Sequence, residues 1–432
     1  MTVSSESGNG MSQLLIENGR IIDPSQNMDR VTNLLIEDDK IAGYDVSPNG
    51  QDRRIDATGK VVVPGLIDMH VELQEPGWEE DETIATGTEA AIAGGFTTIA
   101  CMPNTDPAID TQAGVEFVQL QAERANNCRV AVVACVSKGR EGKELAELGS
   151  LHRAGAAAFC DPHFPIQNSE LLRRALEYCL MFNKPLLNQP ENAELSREGV
   201  MHEGQLSLIL GLPGMPVEAE DVMTSRDIRL TEATGGKLHL QSVSSAVSVE
   251  LIRRSKMRGV GISAEVSPHN FTLTDDELRK FDSNYKLRPP LRSREHVDAC
   301  IAGLCDGTID VIASAHAPRS SEKKMRELDL APFGAVGLET ALALVITELI
   351  EPDHLGWPEA VAKMTINPAR VLGLDKGTLR LGADADVTVI DPDVKWTVDP
   401  KQYRSKSSNC PYAGRELKGK AAHVIVGGVQ KL

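Results

Sequence analysis

His70 and Glu72 stand at alternate positions at the end of an apolar run, where Lys60–Val63 continues through Pro64-Gly65-Leu66-Ile67-Asp68-Met69 toward Leu73-Gln74-Glu75-Pro76-Gly77. Alternate side chains on a strand share a face, so this imidazole and carboxylate point the same way, as donors to one cation would. Other apolar runs end on Asn104, Ser137, Asp161, Gln189, Ser242, His269 and the pair Ala315-His316. A hydrolytic metal site needs about three or four nitrogen, sulfur or carboxylate donors, and often a carboxylate base. Gln189, Ser242 and Ala315 meet neither need. His70, Glu72 and Asp161 remain as candidate donors to a single metal.

The elements that must position these residues follow from the pattern of apolar runs. Eight candidate strands, Lys60–Ile67, Thr97–Met102, Arg129–Val136, Ala156–Cys160, Lys184–Asn188, Lys237–Val243, Gly259–Val266 and Ile309–Ala315, alternate with helical periods such as Ser169–Phe182 and Ser248–Arg258. That alternation predicts parallel βα units and an α/β fold, a (β/α)8 barrel of the TIM type. In such barrels the active site gathers at the C-terminal strand ends, where the residues above fall. An open doubly wound sheet is the alternative, but no Gly-x-Gly-x-x-Gly follows the first strand. Short strands flank the barrel at Leu14–Ile22, Thr32–Glu37, Lys40–Gly43, Val387–Ile390 and Ala421–Gly428. They predict one small β-domain built from both ends: residues 12–60 and 369–432 around a barrel at 61–368, with 1–11 as a disordered tail.

Composition narrows the function classes. With 41% hydrophobic and 25% charged residues, the 432-residue chain reads as a globular protein with an aliphatic core, aromatics being only 4%. A formal net charge of −17 argues against nucleic acid or an anionic membrane as partner. No stretch approaches the ~20 apolar residues of a membrane span, and the first residues lack the pattern of a signal peptide. The eight cysteines form no CxxC pair and read as reduced core thiols, so a cytoplasmic location is expected.

The segment around His70 resembles the metal-binding signature of the cyclic amidohydrolases, and most closely that of dihydroorotase. The resemblance runs from Ile16 onward, with well-matched stretches at Thr83–Thr105, Gly204–Ala219, Glu265–His269, Tyr285–Arg292, Ala331–Thr340 and Ser405–Gly414. It implies a bacterial protein with an amidohydrolase-type barrel, zinc in active relatives and a place in pyrimidine synthesis. The departures fall on positions to which the resemblance assigns function. Glu72, Gln189 and Ser242 stand where histidine ligands are expected, and Ala315 where the catalytic Asp is expected. Arg319 replaces the last His of that motif, Gln74 a substrate-binding Arg, and Arg288 an Asn. His70, Asn104, Asp161, His269 and His316 match.

Losing a general base typically costs about 10²–10⁴ in rate, and losing metal ligands removes the activated water as well. The expectation is therefore an inactive dihydroorotase-like chain, with no catalytic residue, no cofactor and no zinc. Its role would be structural: a subunit that holds the aspartate transcarbamoylase catalytic chain in a complex, as a hetero-oligomer with self-association. Two alternatives accompany it, a cyclic amidohydrolase using His70, Glu72 and Asp161 with one metal, and a binding protein for a pyrimidine intermediate. The remaining histidines, His163 and His239 among them, are expected at the surface or in packing.

Overall fold

The computed structural model describes residues 13–47, 53–163 and 165–432; the tail expected at 1–11 lies outside them. Eight parallel strands build the barrel: β6 (Leu66–Val71), β7 (Phe96–Cys101), β8 (Arg129–Ala134), β9 (Ala158–Phe159), β10 (Leu186–Asn188), β13 (Leu238–Leu240), β14 (Ile262–Val266) and β15 (Val311–Ile312). Closure comes from a parallel bridge between Val71 and His316, with Glu72 N donating to His316 O at 2.9 Å. The (β/α)8 barrel expected from the alternating runs is thus present. Its strands are shorter than the apolar runs, because several runs extend past the ladder into the loops that carry the site. A two-stranded parallel pair, β11 (Met201–His202) and β12 (Gly214–Met215), lies in one of those loops.

A second sheet of eight strands joins the two ends of the chain. It is formed by β1 (Gln13–Asp23), β2 (Met28–Glu37), β3 (Lys40–Tyr44), β4 (Arg53–Asp56) and β5 (Val61–Pro64), with β16 (Val387–Thr397), β17 (Glu416–Val426) and β18 (Val429–Gln430). β5 pairs with β1 on one side and β16 on the other. The expected strand Lys60–Ile67 is therefore two strands in two sheets. Gly65 is the break, its N–H donating to Asp386 O at 2.8 Å. Helix Ile366–Leu372 likewise runs across the boundary drawn at residue 368.

The barrel interior is aliphatic. Met69, Ala100, Met102, Val133, Ala158, Leu187, Val311 and Ala313 pack in one cluster inside the ring. A larger cluster, including Phe96, Phe159, Leu172, Leu186, Val249 and Leu338, fills the space between strands and helices. Helix starts follow local chemistry: Thr83 caps the helix Ile84–Ala93 through Thr86 N, and Asn168 caps Ser169–Leu180 through Glu170 N and Leu171 N. No described helix is long and apolar enough to cross a membrane.

Gly65 tests this account. A Cβ there would lie 2.0 Å from Thr97 Oγ1 and 2.7 Å from its Cβ, both in the barrel wall. Gly65→Ala is expected to destabilise by about 1–3 kcal/mol through overpacking, read as a lower urea midpoint. An unchanged midpoint rejects the close approach of the two sheets.

Candidate active site

At the C-terminal strand ends a cavity of about 30 Å³ is lined by His70, Glu72, His163, Gln189, Ser242, His269, Arg288, Ala315 and Phe333, among others. Glu72 is 1% exposed and accepts three hydrogen bonds. Gln74 Nε2 donates at 2.6 Å, Arg319 Nη1 at 3.0 Å, and His163 Nε2 sits in short contact with the other carboxylate oxygen. Burial alone would push this carboxyl up, but the His163 and Arg319 charges outweigh it and hold Glu72 well below the usual carboxylate range.

Beneath lies a second buried network. Glu265 Oε1 faces His70 Nδ1 at 2.6 Å and Oε2 faces His239 Nε2 at 3.1 Å. A carboxylate only accepts, so both facing ring nitrogens carry their protons. Burial pushes Glu265 up, yet His70 and His239 bring it down to about 2. In return, burial would lower His70, but Glu265, Glu72 and Asp68 hold its imidazole above the ordinary range. Asp68 accepts from His70 N at 3.0 Å and Ser314 N at 2.9 Å, tying β6 to β15; burial pushes it up to about 6.

The structure gathers only part of the expected set. His70, Glu72, Gln189, Ser242, His269 and Ala315 line the cavity, while Gln74 and Arg319 reach it through Glu72. Asp161 faces elsewhere, accepting from Val136 N at 2.9 Å, from Ser137 N at 3.2 Å and from the Ser137 hydroxyl. It does not join His70 and Glu72 as a third donor. Asn104 is buried outside the cavity. His316 is turned to the barrel seam, where Gly337 N donates to its Nδ1 at 3.2 Å. His269 stacks on Tyr412, with Nδ1 3.0 Å from the phenol oxygen, and its Nε2 is buried without a protein partner; burial lowers it to about 4.

Three site residues were missed in the sequence. His163 belongs to the site rather than the surface, and His239 is fully buried below it. Glu265 carries a charge inside β14, where a parallel strand covered on both faces should be apolar, and that was a legible signal. Four residues at the strand ends, Gln74, His163, Ser242 and Ala315, hold φ between 49° and 63°. None is glycine, so each stores about 1–3 kcal/mol of backbone strain, as functional sites do.

The protein is thus a (β/α)8 barrel with a polar cavity at its C-terminal strand ends. An L-hydantoinase (dihydropyrimidinase) from Arthrobacter aurescens has the same fold, with a TM-score of 0.87, 25% identity, and 96% of this chain and 95% of that one covered. Residues 59–248 match the dihydro-orotase-like family and residues 332–430 the amidohydrolase family. The chain is 51% identical to a dihydroorotase from Pelotomaculum thermopropionicum, covering 96% of this chain and 97% of the relative. A dihydroorotase from Syntrophus aciditrophicus is 48% identical, covering 96% and 98%. The chain belongs to the dihydroorotase-like family of amidohydrolases.

The expectation of an inactive pseudoenzyme is overturned by these relatives, which carry an enzyme's name across essentially the whole chain. Its physical weakness is visible in the site. The strand-end inventory left out His163, which lines the cavity, and the Glu265–His239 pair beneath it. The expectation of no cofactor falls with it, since hydrolases of this family are metal-dependent. Among the described residues, however, no three His, Cys, Asp or Glu groups are arranged to hold a metal ion. Glu72 is already bound by Arg319 and His163, and Asp161 by Ser137. The side chains as placed do not fit a zinc pair, and the chemistry derivable from them is proton transfer.

Glu265→Gln removes the charge between the two imidazoles. The loss expected at pH 7 is about 3–5 kcal/mol, as for one partner of a buried pair. The folded value of about 2 lies below the ordinary 4.5, so this stabilisation is full above 4.5 and is lost as pH falls toward 2. The gap in unfolding free energy between wild type and variant should narrow over that window. An equal gap at pH 7 and pH 3 rejects the charged network.

Proposed function

We propose that the chain is a cyclic-amide hydrolase of pyrimidine synthesis, opening or closing a dihydroorotate-type ring. The observation that carries this is the full-length identity with proteins named dihydroorotase. The site is compatible with it. His163 lies at the cavity wall in contact with the Glu72 carboxylate, a pairing that orients the ring for proton transfer. Arg319 and Gln74 hold Glu72 in place. His269 Nε2 presents a polar atom to whatever enters.

The test is turnover of dihydroorotate and of its ring-opened form by the purified chain, with zinc supplied. Measurable turnover is expected, and His163→Ala should lower kcat by about 10²–10⁴-fold with the fold intact by circular dichroism. No turnover by the folded wild-type chain in either direction overturns the proposal.

A second proposal concerns assembly and does not depend on turnover. We infer that the chain associates with an aspartate transcarbamoylase catalytic chain, and with further copies of itself. Leu208 and Ile209, adjacent on the helix Gln205–Leu210, are 82% and 62% exposed, and paired exposed aliphatics favour a contact surface. Coexpression of the two chains is expected to give a complex that survives gel filtration and is weakened by Leu208→Glu. Independent elution of the two chains rejects it.

A further inference from the structure

Where the sheet that joins the chain ends meets the helices of the barrel, two adjoining hollows open. They share no lining residue with the strand-end cavity. The first, of about 260 Å³, lies between the end of the helix Ile84–Ala93, Glu339 on the helix Leu338–Val345, and Trp396 and Lys420 on β16 and β17. The second, of about 320 Å³, meets it at Ala93, Arg404 and Leu432 and is lined further by Glu89, Asn127 and Lys431. Taken together they reach the size of a small-molecule site.

The first hollow suits a flat ring. Ala93, Ala421 and Ala422 give it a floor of methyl groups, and Trp396 and Tyr403 give it aromatic walls. The indole is held in place, its Nε1 donating to Gly419 O at 3.0 Å. The exposed Lys420 ammonium rests 5.1 Å from the ring centre. Stacking of a heterocycle on an indole outweighs an exposed cation–π contact, so an arriving ring displaces the ammonium. Glu339 offers the ring an acceptor. Its Oε1 accepts from Arg404 N at 2.8 Å and Ser405 N at 3.2 Å, and its Oε2 has no hydrogen-bonding partner among the described residues.

The cations around the two hollows are not neutralised. Among the described residues Arg404, Lys420 and Lys431 form no ion pair, and Lys431 Nζ donates only to Asn126 O, at 2.7 Å. In a chain with 62 acidic and 45 basic side chains, three such cations along one groove draw an anion to it. The nearby carboxylates oppose this little. Asp399 is taken up by Lys401 N at 3.1 Å and Gln402 Nε2 at 3.0 Å. Burial pushes the Glu339 carboxyl up to about 7, so near neutral pH it readily gives up its charge. Glu89 is exposed, and as a carboxylate it accepts from hydroxyl groups.

We propose that the two hollows form one site for a nucleoside monophosphate, its base against Trp396 with an N–H toward Glu339, and its phosphate against Arg404 and Lys431. A flat heterocycle with an N–H, a hydroxylated spacer and an anionic end match, in that order, the aromatic hollow, Glu89 and the unpaired cations. The site stands apart from the strand-end cavity, and the inference does not depend on the hydrolase reading.

The test is calorimetric titration of the intact chain with AMP, GMP, CMP and UMP and, separately, with ribose 5-phosphate, which keeps the anion and lacks the base. Saturable binding of at least one nucleotide with a Kd at or below about 1 mM is expected, with ribose 5-phosphate at least about tenfold weaker. Arg404→Glu and Lys431→Glu should each weaken the nucleotide at least about tenfold. Arg229→Glu, an equal charge reversal on the exposed face of the helix Glu218–Thr234, should leave its binding unchanged. Four results each overturn the proposal: no nucleotide saturates; ribose 5-phosphate binds as tightly as the nucleotide; either groove reversal leaves binding unchanged; or Arg229→Glu weakens it as much as they do.

Discussion

A carboxylate buried at the rim of a barrel keeps its charge only if positive groups come to meet it, because an uncompensated buried charge costs several kcal/mol. Glu72 sets that requirement here, and the loops above the barrel are arranged around it. Arg319 is drawn in from the segment after β15, His163 from the segment after β9, and Gln74 doubles back from the end of β6. Three separate connections are pinned to one side chain. The narrow cavity and the turned backbone at Gln74 and His163 follow from this convergence.

The scaffold can carry that demand because it is rigid where the site is strained. The parallel ladder, the seam at Val71–His316 and the Asp68 link between the first and last barrel strands fix the rim on which the left-handed residues sit. Below the rim, Glu265 joins His70 to His239 across β6, β13 and β14, so the barrel interior is held by charge as well as by aliphatic packing. Polar networks of this kind stabilise when every member is satisfied and destabilise when one partner is lost.

Much of the fold was legible in the sequence, since short apolar runs alternating with helical periods point to parallel βα units. The barrel strands fall within the apolar runs, apart from a one-residue shift at β7 and apart from β6, which shares only Leu66 and Ile67 with its expected run. The change of sheet at Gly65 was passed over although Pro64-Gly65 marks it, because the apolar run resumes at once with Leu66-Ile67. The site was half legible. His70 and Glu72 announced themselves by alternation at a strand end. His163 was hidden in an irregular loop whose path depends on Glu72, a contact between residues 91 positions apart. Glu265 and His239 sit within strands rather than at their ends, so an inventory of termini passed over them. Replacing expected donors at Gln189, Ser242 and Ala315 said what those positions no longer do, but it could not say which other side chains had moved into reach.

The sheet that joins the two ends of the chain has a consequence during synthesis. β5 needs β16 as its second neighbour, yet β16 begins about 320 residues further along the chain. At ~10 residues per second a ribosome takes roughly half a minute to supply it. Through that interval β5, with Val61, Val62 and Val63, offers an unpaired apolar edge while the barrel it leads into is still emerging. Edges of that kind invite pairing with other chains. Newly made copies should therefore depend on factors that shield nascent strands, and the burden on those factors grows with any slowing of translation between the two strands.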